Sequence, residues 1–340
     1  MNKAPFSRML LATDPKKLSN FTHQTINKVK GPLFYAKILL FGEYGIIQDS
    51  KGLAIPFNAF KGALKNEDVK SEVAVESNSH LKKFAGYLKT CVEKGEIAVV
   101  FDFELMFNDI NEGMYFDSSI PRGYGVGSSG AIVAAFYDKY ALEKITILEN
   151  LTREKLLHLK ALFGKMESYF HGSSSGLDPL NSYLSLPILI HSKKHIESTR
   201  IPSQNEVGKG AVFLLDSGMV GETAPMVNLF LENMKNEKYE RVIQEEFITY
   251  TDACIEHFLK ANFKGLFGDL KKLSQVVFDH FKPMIPGQFH ELWKKGLEGD
   301  GYYLKLCGSG GGGYFLGFTE NLDKARAELK DYDLEVVYTF

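Results

Sequence analysis

The stretch Pro121-Arg-Gly-Tyr-Gly-Val-Gly-Ser-Ser-Gly130 constrains this chain most, because it sets four glycines and two serines directly before an apolar run. Glycine reaches backbone angles closed to other residues and lets a ligand approach the main chain. The following segment, Ala131–Leu142, reads as a mostly buried helix. The loop therefore opens onto a helix N-terminus, whose free N–H groups and positive dipole end favour a phosphate. Ser128 and Ser129 add hydroxyls suited to a phosphate oxygen or a Mg²⁺ ion. Taken alone, the pattern fits a tight turn before a core helix equally well. It is not a P-loop, which needs Lys after its last glycine, and Ser128 stands where the dinucleotide fingerprint needs Gly.

The rest of the chain narrows the choice. Its 340 residues suffice for about two domains. A net charge of −2 argues against a general nucleic-acid binder. Cys91, Cys254 and Cys307 are an odd, scattered set that supports neither a disulfide framework nor a zinc site and fits a reducing compartment. Met1–Asn20 holds only a brief apolar patch, and no apolar run approaches the roughly 20 residues of a membrane span. A cytoplasmic protein with no membrane or nucleic-acid partner is expected.

In chain order, Met1–Lys30 reads as strand or coil. Leu33–Ile47 is a nearly continuous apolar strand that carries one lysine, Lys37, and reaches Gly42-Glu43. A lysine in such a run is costly unless paired or reaching solvent. Leu53–Leu64 is strand-like, Glu67–Ser77 alternates like a half-exposed strand, Leu81–Glu93 is helical, and Ile97–Leu105 reads as a strand. Leu151–Phe170 is a long amphipathic helix containing Glu167. Gly176 and Pro179 mark a bend that holds Asp178 in a turn. For Glu167 the plain reading is a solvated helix face, and for Asp178 a helix cap.

Polar Lys193–Gly210 is the best domain boundary, dividing an N-terminal domain (1–200) from a C-terminal one (201–340). Ala211–Asp216 reads as a buried strand. Helices are expected over Ala224–Met234, Tyr239–Asn262, Phe263–Phe281, Pro286–Leu297 and Ala325–Lys330, with a last strand at Leu334–Phe340. Gly308, Gly310 and Gly313 formally match a dinucleotide motif, but they join two strands, Tyr302–Cys307 and Tyr314–Phe318, and open no helix.

Three separated stretches, Lys37-Ile-Leu-Leu-Phe-Gly-Glu43, Pro121–Ser129 and Lys305-Leu-Cys-Gly-Ser-Gly-Gly-Gly-Gly313, together resemble the three motifs of the GHMP small-molecule kinases, in the family's order. The first stretch, with Glu167-Ser-Tyr-Phe-His-Gly-Ser-Ser-Ser-Gly-Leu-Asp178, is most similar to the mevalonate kinases within that family. The resemblance implies an α+β, two-domain fold with the active site in the interdomain cleft, ATP bound mainly by the N-terminal domain. It implies ATP and Mg²⁺ as cofactors, with Gly125, Gly127, Ser128 and Ser129 around the ATP phosphates and Ser129 and Glu167 on the metal. Asp178 would take the proton of the attacking hydroxyl, and Lys37 would pair with Asp178 and stabilise the transferring group. Glu43, Tyr44 and Thr223 would contact the acceptor, which the resemblance gives as mevalonate.

Several positions depart from the family pattern. Tyr35-Ala36 stands in place of Pro-Gly, Tyr44 in place of His, Gly130 in place of Ala and Cys307 in place of Thr. The alternatives are a phosphomevalonate or sugar kinase, a decarboxylase, or a family member that binds ligand without catalysis. A homodimer is left open.

Overall fold

The computed structural model describes residues 31–66, 71–146, 148, 150–205 and 207–340. The strand or coil expected for Met1–Lys30 lies outside them.

Strand β1 (Phe34–Phe41) is buried along almost its whole length and pairs antiparallel with β2 (Gly52–Lys65), with irregularities after Tyr35 and Leu39. The far end of β2 takes β3 (Tyr115–Ser118), and its near end takes β4 (Ile188–Ser192), which returns as β5 (His195–Ser198). A second antiparallel sheet holds β6 (Ala211–Asp216), β7 (Tyr303–Leu306), β8 (Tyr314–Thr319) and β9 (Leu334–Thr339) in the order β7-β8-β6-β9. Val212–Leu215 are fully buried, as a continuous apolar run in a central strand should be. The two sheets divide the sequence at 199–210, while Gly31–Phe340 form one compact unit.

Helices α1 (Glu72–Glu93), α2 (Phe103–Asn111), α3 (Ser128–Tyr140), α4 (Arg153–His171) and α5 (Leu177–Leu184) come before β6. After it come α6 (Thr223–Asn233), α7 (Glu237–Val242), α8 (Ile248–Leu259), α9 (Phe263–His280), α10 (His290–Gly299) and α11 (Leu322–Glu328). On α4, Leu156, Leu159, Phe163 and Met166 recur at helical spacing and are buried, with Thr152 capping the start and Gly172 the end. The mixed helix-and-sheet fold expected from the sequence is the fold observed.

Several local expectations change. The described part of Glu67–Ser77 is not a strand: α1 begins at Glu72, and the Ser71 side chain accepts a hydrogen bond from the Ala74 N–H. Ala74, Ser77, Leu81, Phe84, Ala85 and Leu88 then form one buried helical face. The alternation of small and charged residues at the start fits either period, and the cap with the downstream face decides it. The strand expected over Ile97–Leu105 shrinks to one bridge, Phe101 to Ala141, because Asp102 caps α2. Polar Asn108–Ser119 contains β3. Lys193–Gly210 contains β5. The helix expected over Tyr239–Asn262 is α7 and α8 joined by a π-turn at Ile243–Phe247.

Candidate active site

β1, α3, α4 and α5 converge on the charged residues. Asp178 sits in the first turn of α5, after Gly176 in the left-handed conformation, so the turn expected to hold it is the start of a helix. Two fastenings hold α5 against β1 and α3. The Ser182 hydroxyl donates to the Tyr35 carbonyl at 2.8 Å. At Gly130 the helices touch so closely that a methyl there would lie 2.7 Å from the Asp178 carbonyl carbon. Glycine is therefore required where the family pattern has alanine.

Lys37 Nζ lies 3.0 Å from Asp178 Oδ1, and the Lys37 N–H donates to the Val126 carbonyl at 3.0 Å, tying β1 to the glycine loop. Burial opposes the Lys37 charge, but the attraction and hydrogen bond of Asp178 outweigh it and raise the ammonium pKa. The lysine is charged at neutral pH.

Ser129, at the start of α3, donates to Glu167 Oε1 at 2.7 Å, and Ser174 donates to Glu167 Oε2. Glu167 is buried, not on a solvated face. Burial, then repulsion from Asp178, pushes its carboxyl up to about 7 against those two hydrogen bonds and the pull of Lys37. A buried carboxylate with a facing hydroxyl is the hard, all-oxygen donor set that suits Mg²⁺, and a cation would relieve the desolvated charge.

Two cavities meet here. The larger, of about 430 Å³, is lined by Lys37, Glu43, Tyr44, Glu167 and the Ser173–Ser175 turn, with Leu39, Ile46, Ile47, Ala54, Leu177 and Val227 as its apolar wall. The smaller, of about 100 Å³, is lined by Gly125, Gly127, Ser128, Ser129 and by Gly221, Gly310 and Gly312. His171, Asp178, Thr223 and Ser309 border both. Gly125 has φ +78° and its backbone lies against the third-motif turn, where a Cβ would fall 2.6 Å from the Cys307 carbonyl oxygen.

The structure thus brings together Lys37, Asp178, Ser129, Glu167, Gly125, Gly127, Ser128 and Thr223. Glu43 is placed differently. It borders the larger cavity, but its carboxylate turns to Lys305 Nζ at 2.6 Å in a fully buried pair. Tyr44 also borders the cavity. Its ring packs against Phe230 and Phe281, and its hydroxyl donates to the Ser309 carbonyl at 2.5 Å.

Sequence reading gave no role to two residues that the fold puts in place. Lys305 offered the same signal as Lys37, a lysine inside an apolar strand. His171 lies with its Nε2 3.0 Å from Ser129 Oγ, and burial lowers its pKa despite the pull of Asp178. Its only sequence signal was its place in the His171-Gly172 helix end.

Residues 87–185 match the family model described as the GHMP kinases N terminal domain. No curated protein matches the chain by sequence. Among solved structures, the L. major mevalonate kinase in complex with R-mevalonate is similar at 17% identity and TM-score 0.58, covering 91% of this chain and 96% of that one. The Streptococcus pneumoniae phosphomevalonate kinase in complex with phosphomevalonate and AMPPNP is similar at 11% identity and TM-score 0.58, covering 91% and 98%. The Lactococcus lactis galactokinase complexed with galactose is similar at 13% identity and TM-score 0.57, covering 92% and 94%. At these identities the likeness establishes the fold and not the acceptor.

Proposed function

We propose that this chain, whose residues 87–185 match the model of the GHMP kinases N terminal domain and whose fold is the GHMP kinase fold, transfers the γ-phosphoryl group of ATP to the primary hydroxyl of mevalonate, giving 5-phosphomevalonate and ADP. The observation that carries this reading is the position of Asp178 on the wall between the two cavities, paired with Lys37. An acceptor hydroxyl in the larger cavity and a phosphoryl donor on the glycine-lined side would meet at its carboxylate.

Phosphoryl transfer needs mainly positioning and charge stabilisation. Asp178 accepts the hydroxyl proton as the oxygen attacks. Lys37 holds Asp178 in place and faces the negative charge that spreads over the transferring group. Backbone N–H groups of the Gly125–Ser129 loop hold phosphate oxygens at the start of α3. Ser129 and Glu167 would hold Mg²⁺, which when bound neutralises phosphate charge. Tyr44 and Thr223 shape the acceptor's end of the cleft. The wall of Leu39, Ile46, Ile47, Ala54 and Val227 favours a short branched aliphatic acid over a sugar, because each sugar hydroxyl would need its own polar partner.

The test is ADP release by the purified protein with Mg-ATP and, in parallel, mevalonate, phosphomevalonate, galactose and homoserine. Mevalonate should give the highest kcat/KM. A higher value for another acceptor would overturn the acceptor assignment and leave the kinase reading. ATP binding without turnover on any of them would favour a ligand-binding member of the family.

A further inference from the structure

The β4–β5 hairpin carries a donor group that lines neither cavity. Ile190 stands opposite Ile196 and Leu189 opposite Glu197. Side chains alternate across a strand, so Ile188, Ile190 and Ile196 enter the core while His191, His195 and Glu197 share the other face. The rings of His191 and His195 stack with centroids 4.3 Å apart, and His191 Nε2 lies 2.9 Å from Glu197 Oε1. One donor atom from each of the three lies within 4.8 Å of the others.

We propose that His191, His195 and Glu197 form a binding site for a divalent transition-metal ion, Zn²⁺ being the best match. Two imidazoles and one carboxylate are a borderline donor set, suited to Zn²⁺, Ni²⁺ or Cu²⁺ and poorly suited to Mg²⁺. A tetrahedral ion with bonds of about 2.0–2.1 Å wants its ligands roughly 3.3 Å apart. Rotation about side-chain torsions closes the remaining gap and leaves the backbone where it is. The turn between the strands is already braced. The Lys193 N–H donates to Asp49 Oδ1 at 2.6 Å and the Lys194 N–H to Ser192 Oγ at 3.3 Å. Both strands are also anchored by buried isoleucines, so ordering the ligands costs little beyond side-chain entropy. Three protein ligands leave a fourth position to water, which makes the ion exchangeable. The ligand chemistry keeps this ion apart from the Mg²⁺ of the phosphoryl-transfer site.

The experiment titrates Zn²⁺ into the full chain by calorimetry with Mg²⁺ in large excess, and repeats it with Co²⁺ to read the ligand field. One ion per chain should bind, with a dissociation constant tighter than roughly 100 µM. His195→Ala should weaken binding by at least about tenfold. The double variant His191→Ala/His195→Ala should remove it. These side chains are partly exposed, and far-UV circular dichroism checks that the variants keep the fold. His171→Ala should leave Zn²⁺ binding intact, since His171 lies beside Ser129 and Glu167. Absence of binding by the wild-type chain would overturn the proposal and leave the group as a hydrogen-bonded hairpin face. Binding that survives the double variant, or that is lost in His171→Ala, would overturn it as well.

Discussion

Lys37 and Lys305 are buried within strands, and each meets a carboxylate. Lys305 on β7 and Glu43 lie 2.6 Å apart with side chains only 5% exposed on both sides. Lys37 on β1 and Asp178 lie 3.0 Å apart, but Asp178 keeps 32% of its side chain exposed to the cavities. The first pair is sealed. Lys305 also donates to the Leu306 carbonyl at 2.8 Å, and the pair joins the end of β1 to the second sheet. The second pair is open on the acid's side, where a reacting hydroxyl can reach it. Lysine in an apolar strand therefore signals a buried partner, and the partner's exposure separates a structural clamp from a chemical group.

The largest effect should come from the open pair. Removing a general base costs roughly 10²–10⁴ in rate. Asp178→Asn should lose about that much kcat with little change in ATP affinity, and should also lower the melting temperature, because it leaves the buried Lys37 without its counter-charge. Steady-state kinetics beside a thermal melt decide it, and a destabilised variant with near-normal kcat would return Asp178 to a helix-start role. The sealed pair should behave in the opposite way. Lys305→Met leaves the buried Glu43 without its cation and should cost about 3–5 kcal/mol of stability in urea unfolding. Adding Glu43→Gln should recover much of the loss. Equal stability of Lys305→Met and wild type would erase the distinction between the pairs.

Glu167 tests the cleft by pH. Its carboxyl titrates near 4.5 when unfolded and near 7 when folded. Between those values the unfolded chain binds fewer protons than the folded one, so this group's contribution to stability falls as pH rises and levels off above about 7. Glu167→Gln should therefore match wild type near pH 4 and be the more stable of the two at pH 8, the gap opening as pH rises from about 4.5 to about 7. The same variant should need more Mg²⁺ for half-maximal activity. A stability difference that does not change with pH would mean that Glu167 is not held protonated by burial.

The smallest effect concerns Tyr44. Tyr44→Phe deletes the hydrogen bond to the Ser309 carbonyl and should cost about 1 kcal/mol. Because Ser309 borders both cavities, KM for the acceptor should rise several-fold, with that for ATP rising less. An unchanged KM for both would confine Tyr44 to packing between Phe230 and Phe281.

Much of the fold was legible because long amphipathic runs admit one period. Leu151–Phe170 reads as a helix from its apolar spacing, and Ala211–Asp216 as a buried strand from its unbroken hydrophobicity. Glu67–Ser77 reads as a strand and its described part is the start of α1, since a short alternation fits a strand until Ser71 caps the helix and Leu81, Phe84 and Leu88 extend its buried face. β3 was hidden because four residues carry too little pattern. At the site, Lys37, Asp178, Ser129 and Glu167 could be named from the order of the motifs. Lys305 in its apolar strand signals that a partner is needed, but that the partner is Glu43, 262 positions away, left no local trace.

The sequence by itself determined which groups are available for chemistry. It placed glycines before an apolar helix, a lysine in a strand that cannot leave it unpaired, and carboxylates on either side of a serine-rich turn, since backbone freedom and burial cost act locally. Only the tertiary structure decided which carboxylate each lysine takes and which pair stays open to the cleft. It also decided that Glu167 is buried beside Asp178 and that α5 touches α3 at Gly130. These outcomes depend on distance and desolvation between segments far apart in the chain, and neither quantity is carried by any single stretch of residues.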